Sequence, residues 1–448
     1  MFISRRVPAE IWRMVFFMVC GAVSYSFRFD ARARRRIFEA PPLVLSQVSP
    51  LWRAITRDFP GLWSSISIEF VGIGRSVEPL INLYLANSGR HPLMLRITRE
   101  LNHGLPLSEE GAAAWKALSP HLNRCEELSI AVSGYFDFPP IYDLSFPNLV
   151  ALYEETEAEN YPPWFWKAVG AAPRLTQAKL HSFDPPRSLP YHQLTSLEVQ
   201  YCGEEDAKGI LRILPNCRRL LNFELDRLDG RGAEDFDAPS SVIELPTLRK
   251  LSICDEETDD MFPANPILAA YCRLSLPALT DFEVTCHYWS SALHALLERS
   301  SASLEKVKLN LCVSDSMGIP DHPFSIIPSL SRLTHLELCL CPFDFPTTVL
   351  AEMLLKLQPN RHSNRPLVLP RLTHLLLEAS PGILTPSVGD GLLTLVRSRS
   401  LASYPLKIVT VNLIILSGSL LIESAIAQRV QALKSAGIYV TTDEAFCW

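Results

Sequence analysis

Leu333-Thr-His-Leu-Glu-Leu338 and Leu372-Thr-His-Leu-Leu-Leu377 share one spacing, with leucine at the first, fourth and sixth places. The last two leucines stand two apart, so on a strand both point to one face and the residue between them points to the other. The first leucine belongs to the turn entering that strand. Outward from these copies the spacing returns at Leu175/Ala178/Leu180, Leu194/Leu197/Val199, Leu220/Phe223/Leu225, Leu248/Leu251/Ile253, Leu279/Phe282/Val284 and Leu304/Val307/Leu309. Cys125/Leu128/Ile130 and Ile408/Val411/Leu413 are divergent copies towards either end. Intervals run from 19 to 39 residues, mostly in the twenties.

Helix-like segments fill the intervals, such as Ala207–Leu214 and Ser291–Glu298, and Pro173, Pro246, Pro277 and Pro370 each precede a strand. One strand plus one helix cannot hide its own apolar face, so the copies must stack. The period is that of leucine-rich repeats. The predicted fold is therefore α/β, an irregular leucine-rich-repeat solenoid over residues 63–448, clearest at 173–416. Ser64–Ile68 and Leu93–Ile97 alternate as strands and Val77–Ala86 reads as a helix, so copies begin without a long linker. Ile408–Leu416 reads as a buried strand, followed by an amphipathic helix from about Ile422 to Ala436. Glu154–Asn160 and Asp255–Asp260 read as exposed acidic loops.

Residues 1–62 follow a different pattern. Pro8 suits a first helical turn, Glu10 suits the positive end of a helix dipole, and Ile11, Met14, Val15 and Met18 recur at helical spacing. After Pro41-Pro42, Leu45, Val48, Trp52 and Ile55 repeat every three or four residues, and Pro50 predicts two short helices rather than one. A unit this small carries more apolar residues than it can bury alone, which predicts a partner. An alternative reading makes Arg5-Arg6 and the following apolar run a secretory leader. Pro8, Glu10, Trp12 and Arg13, and the absence of a small-residue cleavage site, argue against it.

Val7-Pro-Ala-Glu-Ile11 and Leu45-Ser-Gln-Val-Ser-Pro-Leu-Trp52-Arg53 resemble the two signatures of fungal F-box proteins, over roughly residues 5–63. The resemblance implies a non-catalytic, substrate-recruiting adaptor of a cullin–RING (SCF-type) ubiquitin ligase. The implied contacts to the Skp-type adaptor are Val7, Pro8, Ile11, Val44, Leu45, Val48 and Trp52, and the repeat array would bind a client protein. Val7 in place of leucine and a twenty-residue insert containing Arg32-Ala-Arg-Arg-Arg36 depart from the pattern. They keep open a repeat-based binding scaffold without ligase contacts.

Composition narrows the remaining classes. The chain has 448 residues, 48% hydrophobic and 20% charged, with net charge −6, so nothing draws it globally to nucleic acid or an anionic membrane. Eleven cysteines without metal-ligand spacing read as reduced core residues of a cytoplasmic or nuclear protein. Cys339-Leu-Cys341 lacks a second pair. No nucleophile elbow, phosphate-binding glycine loop or His-Glu-x-x-His is present, and no cofactor is expected. The outward strand positions are the informative ones: Glu198, Glu224, Asp226, Asp281, Glu283 and Glu337 outnumber the lysines among them. They predict a client segment carrying Lys or Arg.

Overall fold

A computed structural model describes residues 7–21, 27–30, 37–70, 77–99, 107–132, 134–135, 138–156, 158–183, 188–229, 236, 242–255, 265–286, 289–311, 326–340, 347–358, 368–401, 406–416 and 424–445. Arg32–Arg36, Glu256–Asp260 and Cys341 lie outside them. The chain forms two compact units, Met1–Leu197 and Glu198–Trp448.

The first unit opens with helices α1 (Ala9–Gly21), α2 (Pro41–Val48) and α3 (Pro50–Arg57). The break between α2 and α3 falls where Pro50 requires it. Ser49 before the proline is extended at φ −157° and ψ 161°, and its hydroxyl caps α3 by accepting from Trp52 N at 3.1 Å. Strands β1 (Phe27–Asp30) and β2 (Ile37–Glu39) occupy part of the insert between α1 and α2. They form an antiparallel hairpin, and β1 pairs in parallel with β3 (Ser65–Glu69). From β3 the sheet continues in parallel through β4 (Leu93–Arg99), β5 (Cys125–Val132), β7 (Ala151–Glu154) and β9 (Gln177–Leu180). A small parallel ribbon joins β6 (Gly134–Tyr135) to β8 (Ala158–Asn160).

The acidic run expected as a loop at Glu154–Asn160 is instead bounded by β7 and β8. Glu154 is 2% exposed because it occupies the inward strand position that other copies fill with an apolar residue, and its Oε2 accepts from His181 N at 3.2 Å. Asp255 departs in the same way. It is buried at a strand end and accepts from Asn265 Nδ2 at 2.8 Å.

The boundary falls within β10 (Ser196–Val199), and in the second unit β11 (Asn222–Leu228), β12 (Lys250–Asp255), β13 (Asp281–Cys286), β14 (Lys306–Leu311), β15 (His335–Leu340), β16 (His374–Ala379), β17 (Ile408–Leu416) and β18 (Tyr439–Ala445) lie side by side in sequence order. From β11 onward every neighbouring pair is parallel. The β11–β12 register shifts between Leu225 and Leu228, and from β12 onward the pairs are in step, so Leu309, Leu338 and Leu377 align in one buried row. Helices at Glu204–Ile213, Ser291–Ser300, Thr347–Lys356, Pro386–Leu401 and Ser424–Ser435 alternate with strands. Parallel neighbours require such crossovers. The strands alternate buried and half-exposed residues, leaving one face of this mixed α/β sheet open.

Two devices fix the stacking. Threonine hydroxyls at strand entries donate to the preceding copy's backbone: Thr195 to Thr176 O at 3.1 Å, Thr334 to Glu305 O at 2.9 Å, and Thr373 to Thr334 O at 3.2 Å. Arginines from the helices clamp loop carbonyls. Arg299 reaches Cys272 O and Leu274 O, and Arg429 reaches Leu384 O at 2.6 Å. Arg399, wholly buried, donates to Leu369 O at 2.7 Å, Val368 O at 3.3 Å and Leu357 O at 3.4 Å. Leu369 sits at φ 50°, a left-handed conformation that the Arg399 bond to its carbonyl helps hold.

Candidate functional site

Two surfaces carry the residues singled out by the sequence, one in each unit. In the first unit, Pro8 starts α1 by offering its carbonyl to Ile11 N at 3.1 Å and Trp12 N at 3.3 Å. Trp12 and Phe16 turn inward. Their rings lie 4.9 Å each from the Trp52 ring, a cluster that ties α1 to α3. Further along, Arg53 Nε donates to Ser46 O at 3.0 Å, and Trp63 Nε1 to Thr56 O at 2.7 Å.

This inward packing turns a different stripe outward. Ile11, Met14 and Met18 are 46%, 62% and 62% exposed, and Phe17 beside them is 60% exposed. On α2, Val44 and Val48 are 62% and 58% exposed. Monomers rarely leave so many large apolar side chains in water without a use for them. Of the seven residues named as adaptor contacts, Pro8, Ile11, Val44 and Val48 are exposed, while Val7, Leu45 and Trp52 are half-buried. Trp52 owes part of its burial to the α1 rings, so its first role is to hold the helices together. Met14, Phe17 and Met18 belong to the exposed surface as well. Their helical spacing was visible, but which side of α1 would pack inward was decided by Trp12 and Phe16.

In the second unit, the open sheet face presents half-buried Glu224 and Asp226 on β11, Asp281 and Glu283 on β13, and Glu337 on β15; Glu198 lies on β10. Between these acidic strands stand basic ones, Lys250 on β12 and Lys306 with Lys308 on β14. Lys250 Nζ lies 3.6 Å from Glu224, Lys306 Nζ 3.3 Å from Asp281, and Lys308 Nζ 2.7 Å from Glu283. Three of the six carboxylates expected from sequence, Glu224, Asp281 and Glu283, are thus met by lysines of the next strand. The hydrogen bond to Glu283 raises the Lys308 pKa against the cost of burial, with Glu337 adding to the pull. A depression of about 390 Å³ opens over β12–β15, lined by these lysines and carboxylates and by His335.

His335 and His374 occupy the same place on adjacent strands and stack with centroids 4.1 Å apart and planes 8° apart. Each Nδ1 lies 2.8 Å from the hydroxyl of the preceding threonine, Thr334 or Thr373. Those hydroxyls donate onward to backbone carbonyls, so each Nδ1–H is the donor to its threonine. Burial, His374 and Lys306 lower the His335 pKa, keeping the ring neutral. Among the described residues no three His, Cys, Asp or Glu side chains group closely enough to hold a metal ion. Eight cysteines among them are free; burial pushes Cys20 up to about 11 and Cys202, Cys217 and Cys272 up to about 12, far from nucleophilic. No described helix is long and apolar enough to cross a membrane. No family model matches the chain, and no curated protein matches it.

Proposed function

We propose that this chain is a non-catalytic adaptor of a cullin–RING, SCF-type ubiquitin ligase, in which α1–α3 form an F-box and the strands behind them a leucine-rich-repeat array. The F-box docks a Skp-type adaptor, and the repeat face holds a client protein. The observation that carries the reading is the exposed apolar surface on α1 and α2, lying on the very segment whose two signatures resemble the family. Burying each such side chain is worth roughly 1.5–3 kcal/mol before association costs, enough together for a firm interface. Ubiquitin transfer takes place on other subunits, and this chain raises the local concentration of client lysines.

Co-expression with a Skp-type subunit tests the reading. The unmodified chain should co-purify with it, and a Val44→Glu/Val48→Glu double substitution should abolish the complex while leaving the thermal melt unchanged. Both positions are exposed, so lost binding would not be lost folding. Absence of the complex with the unmodified chain would remove the ligase assignment. A repeat-based scaffold without ligase contacts is the second reading, favoured by the β1–β2 hairpin that the sheet absorbs between the two signatures.

A further inference from the structure

The charges on the open face of the second unit are sorted by strand. β11 carries Glu224 and Asp226, β12 Lys250, β13 Asp281 and Glu283, β14 Lys306 and Lys308, and β15 Glu337. Sign therefore alternates at every strand step from β11 to β15 among these residues; Arg227, exposed where the β11–β12 register shifts, is the one exposed charge of opposite sign on these five strands. The in-step register keeps these bands straight: Lys250 aligns with Asp281 and Asp281 with Lys306, while Glu283 aligns with Lys308 and Lys308 with Glu337.

We propose that this face binds an α-helix of a partner protein, laid across the strands, whose exposed stripe alternates in sign once per turn. The inference rests on reading this face as the client-binding surface. Adjacent strands are about 4.8 Å apart, so four steps from β11 to β15 cover about 19 Å. On a helix, positions i, i+4, i+7, i+11 and i+14 share a face and span about 21 Å at 1.5 Å per residue. A basic, acidic, basic, acidic, basic stripe therefore meets all five bands with a drift of about 2 Å. An extended segment crossing the strands presents same-side residues every 6.7 Å or so, about 27 Å over four steps, and falls out of phase. A uniformly basic helix meets repulsion at β12 and β14.

The face's own ion pairs do not prevent this. Lys250–Glu224 and Lys306–Asp281 are long, and their lysine side chains are 45% and 58% exposed. Exposed pairs hold little energy, and each ammonium and carboxylate keeps capacity for a second partner. The depression over β12–β15 gives the partner's side chains room to enter between the bands.

The test uses the full chain and fluorescently labelled alanine-based helical peptides, read by anisotropy at low ionic strength. The probe carries Lys, Glu, Lys, Glu, Lys at the five positions above. Controls are a composition-matched helix with its lysines and glutamates segregated, and a helix with lysine at all five positions. The probe should bind roughly tenfold more tightly than either control and weaken with added salt. A Glu283→Lys/Lys308→Glu double substitution keeps that ion pair but scrambles two bands. It should weaken the probe about tenfold without changing the thermal melt. Equal binding of probe and either control, no probe binding, or an indifferent double variant overturns the inference. Skp-type co-purification is independent of these measurements, so failure of the ligase reading and failure of this one are told apart.

Discussion

Arg399 is a charged side chain with no exposed surface, and what it holds is backbone. Its guanidinium donates to three loop carbonyls, of which Leu369 O also accepts from Leu372 N at 3.1 Å. Burial lowers its pKa, but an arginine has range to spare and remains charged. Arg399→Met would fill the space and take this donor from Leu357 O and Val368 O, so stability should fall by about 2–3 kcal/mol, measured as a lower urea midpoint at unchanged slope. Arg399→Lys should recover little, since a point charge cannot span the planar fork's three acceptors. A shift below about 0.5 kcal/mol for the methionine variant would show the clamp to be ornamental. Nothing in the sequence around Arg399 announced this role, because it depends on loops some thirty and forty residues away.

Among the elements, the repeat strands were the most legible, because Leu-x-x-Leu-x-Leu ties burial to a period-2 face without help from tertiary context. β9 through β17 fall where that spacing places them. β7 was missed: Leu149/Leu152/Glu154 keeps two of the three apolar positions, and the third carries a carboxylate that is nonetheless buried. The hairpin β1–β2 was also unread: Phe27-Arg-Phe-Asp30 alternates, but for only four residues, beside an arginine-rich run. A quieter signal was available in the threonines. Thr176, Thr195, Thr334 and Thr373 each follow the first leucine of a copy, and each hydroxyl donates to a backbone carbonyl of the copy before it. Thr334→Val keeps the shape and removes the hydroxyl, and with it the orientation of His335. It should cost about 1 kcal/mol by thermal or urea unfolding, and no loss at all would mean that backbone pairing alone aligns β14 with β15. The candidate surfaces were half legible. The apolar and acidic residues could be named in advance, whereas the face of α1 left outward and the lysines opposite Glu224, Asp281 and Glu283 follow only from packing and register.

At the scale of the whole molecule, the sequence suggested a boundary after residue 62, but the compact units are Met1–Leu197 and Glu198–Trp448. The reason lies within the first unit. β1 pairs with β3, Phe17 meets Phe59 at 6.4 Å, and Trp63 packs edge-on against Tyr84 at 4.9 Å, so no seam is left at that point. In the second unit each copy touches chiefly its neighbours, and stability in such arrays accumulates from nearest-neighbour interfaces. Native-state hydrogen exchange should therefore show the slowest amides in β13–β15 and progressively faster ones towards β18. A single uniform protection level across those strands would contradict that. The arginine clamps bear on how such a chain can change over generations. A guanidinium that grips carbonyl oxygens places no demand on the side chains of Cys272, Leu274, Val368 or Leu384, because every amino acid offers the same oxygen. Burial still holds Cys272, Leu274 and Leu384 to apolar side chains, so the freedom lies in the residues between the anchors and in loop length. That tolerance accounts for copies in the second unit spaced as unevenly as 25 residues (Leu279 to Leu304) and 39 residues (Leu333 to Leu372) pairing in step, and for an outward face that can be rewritten without rebuilding the frame beneath it.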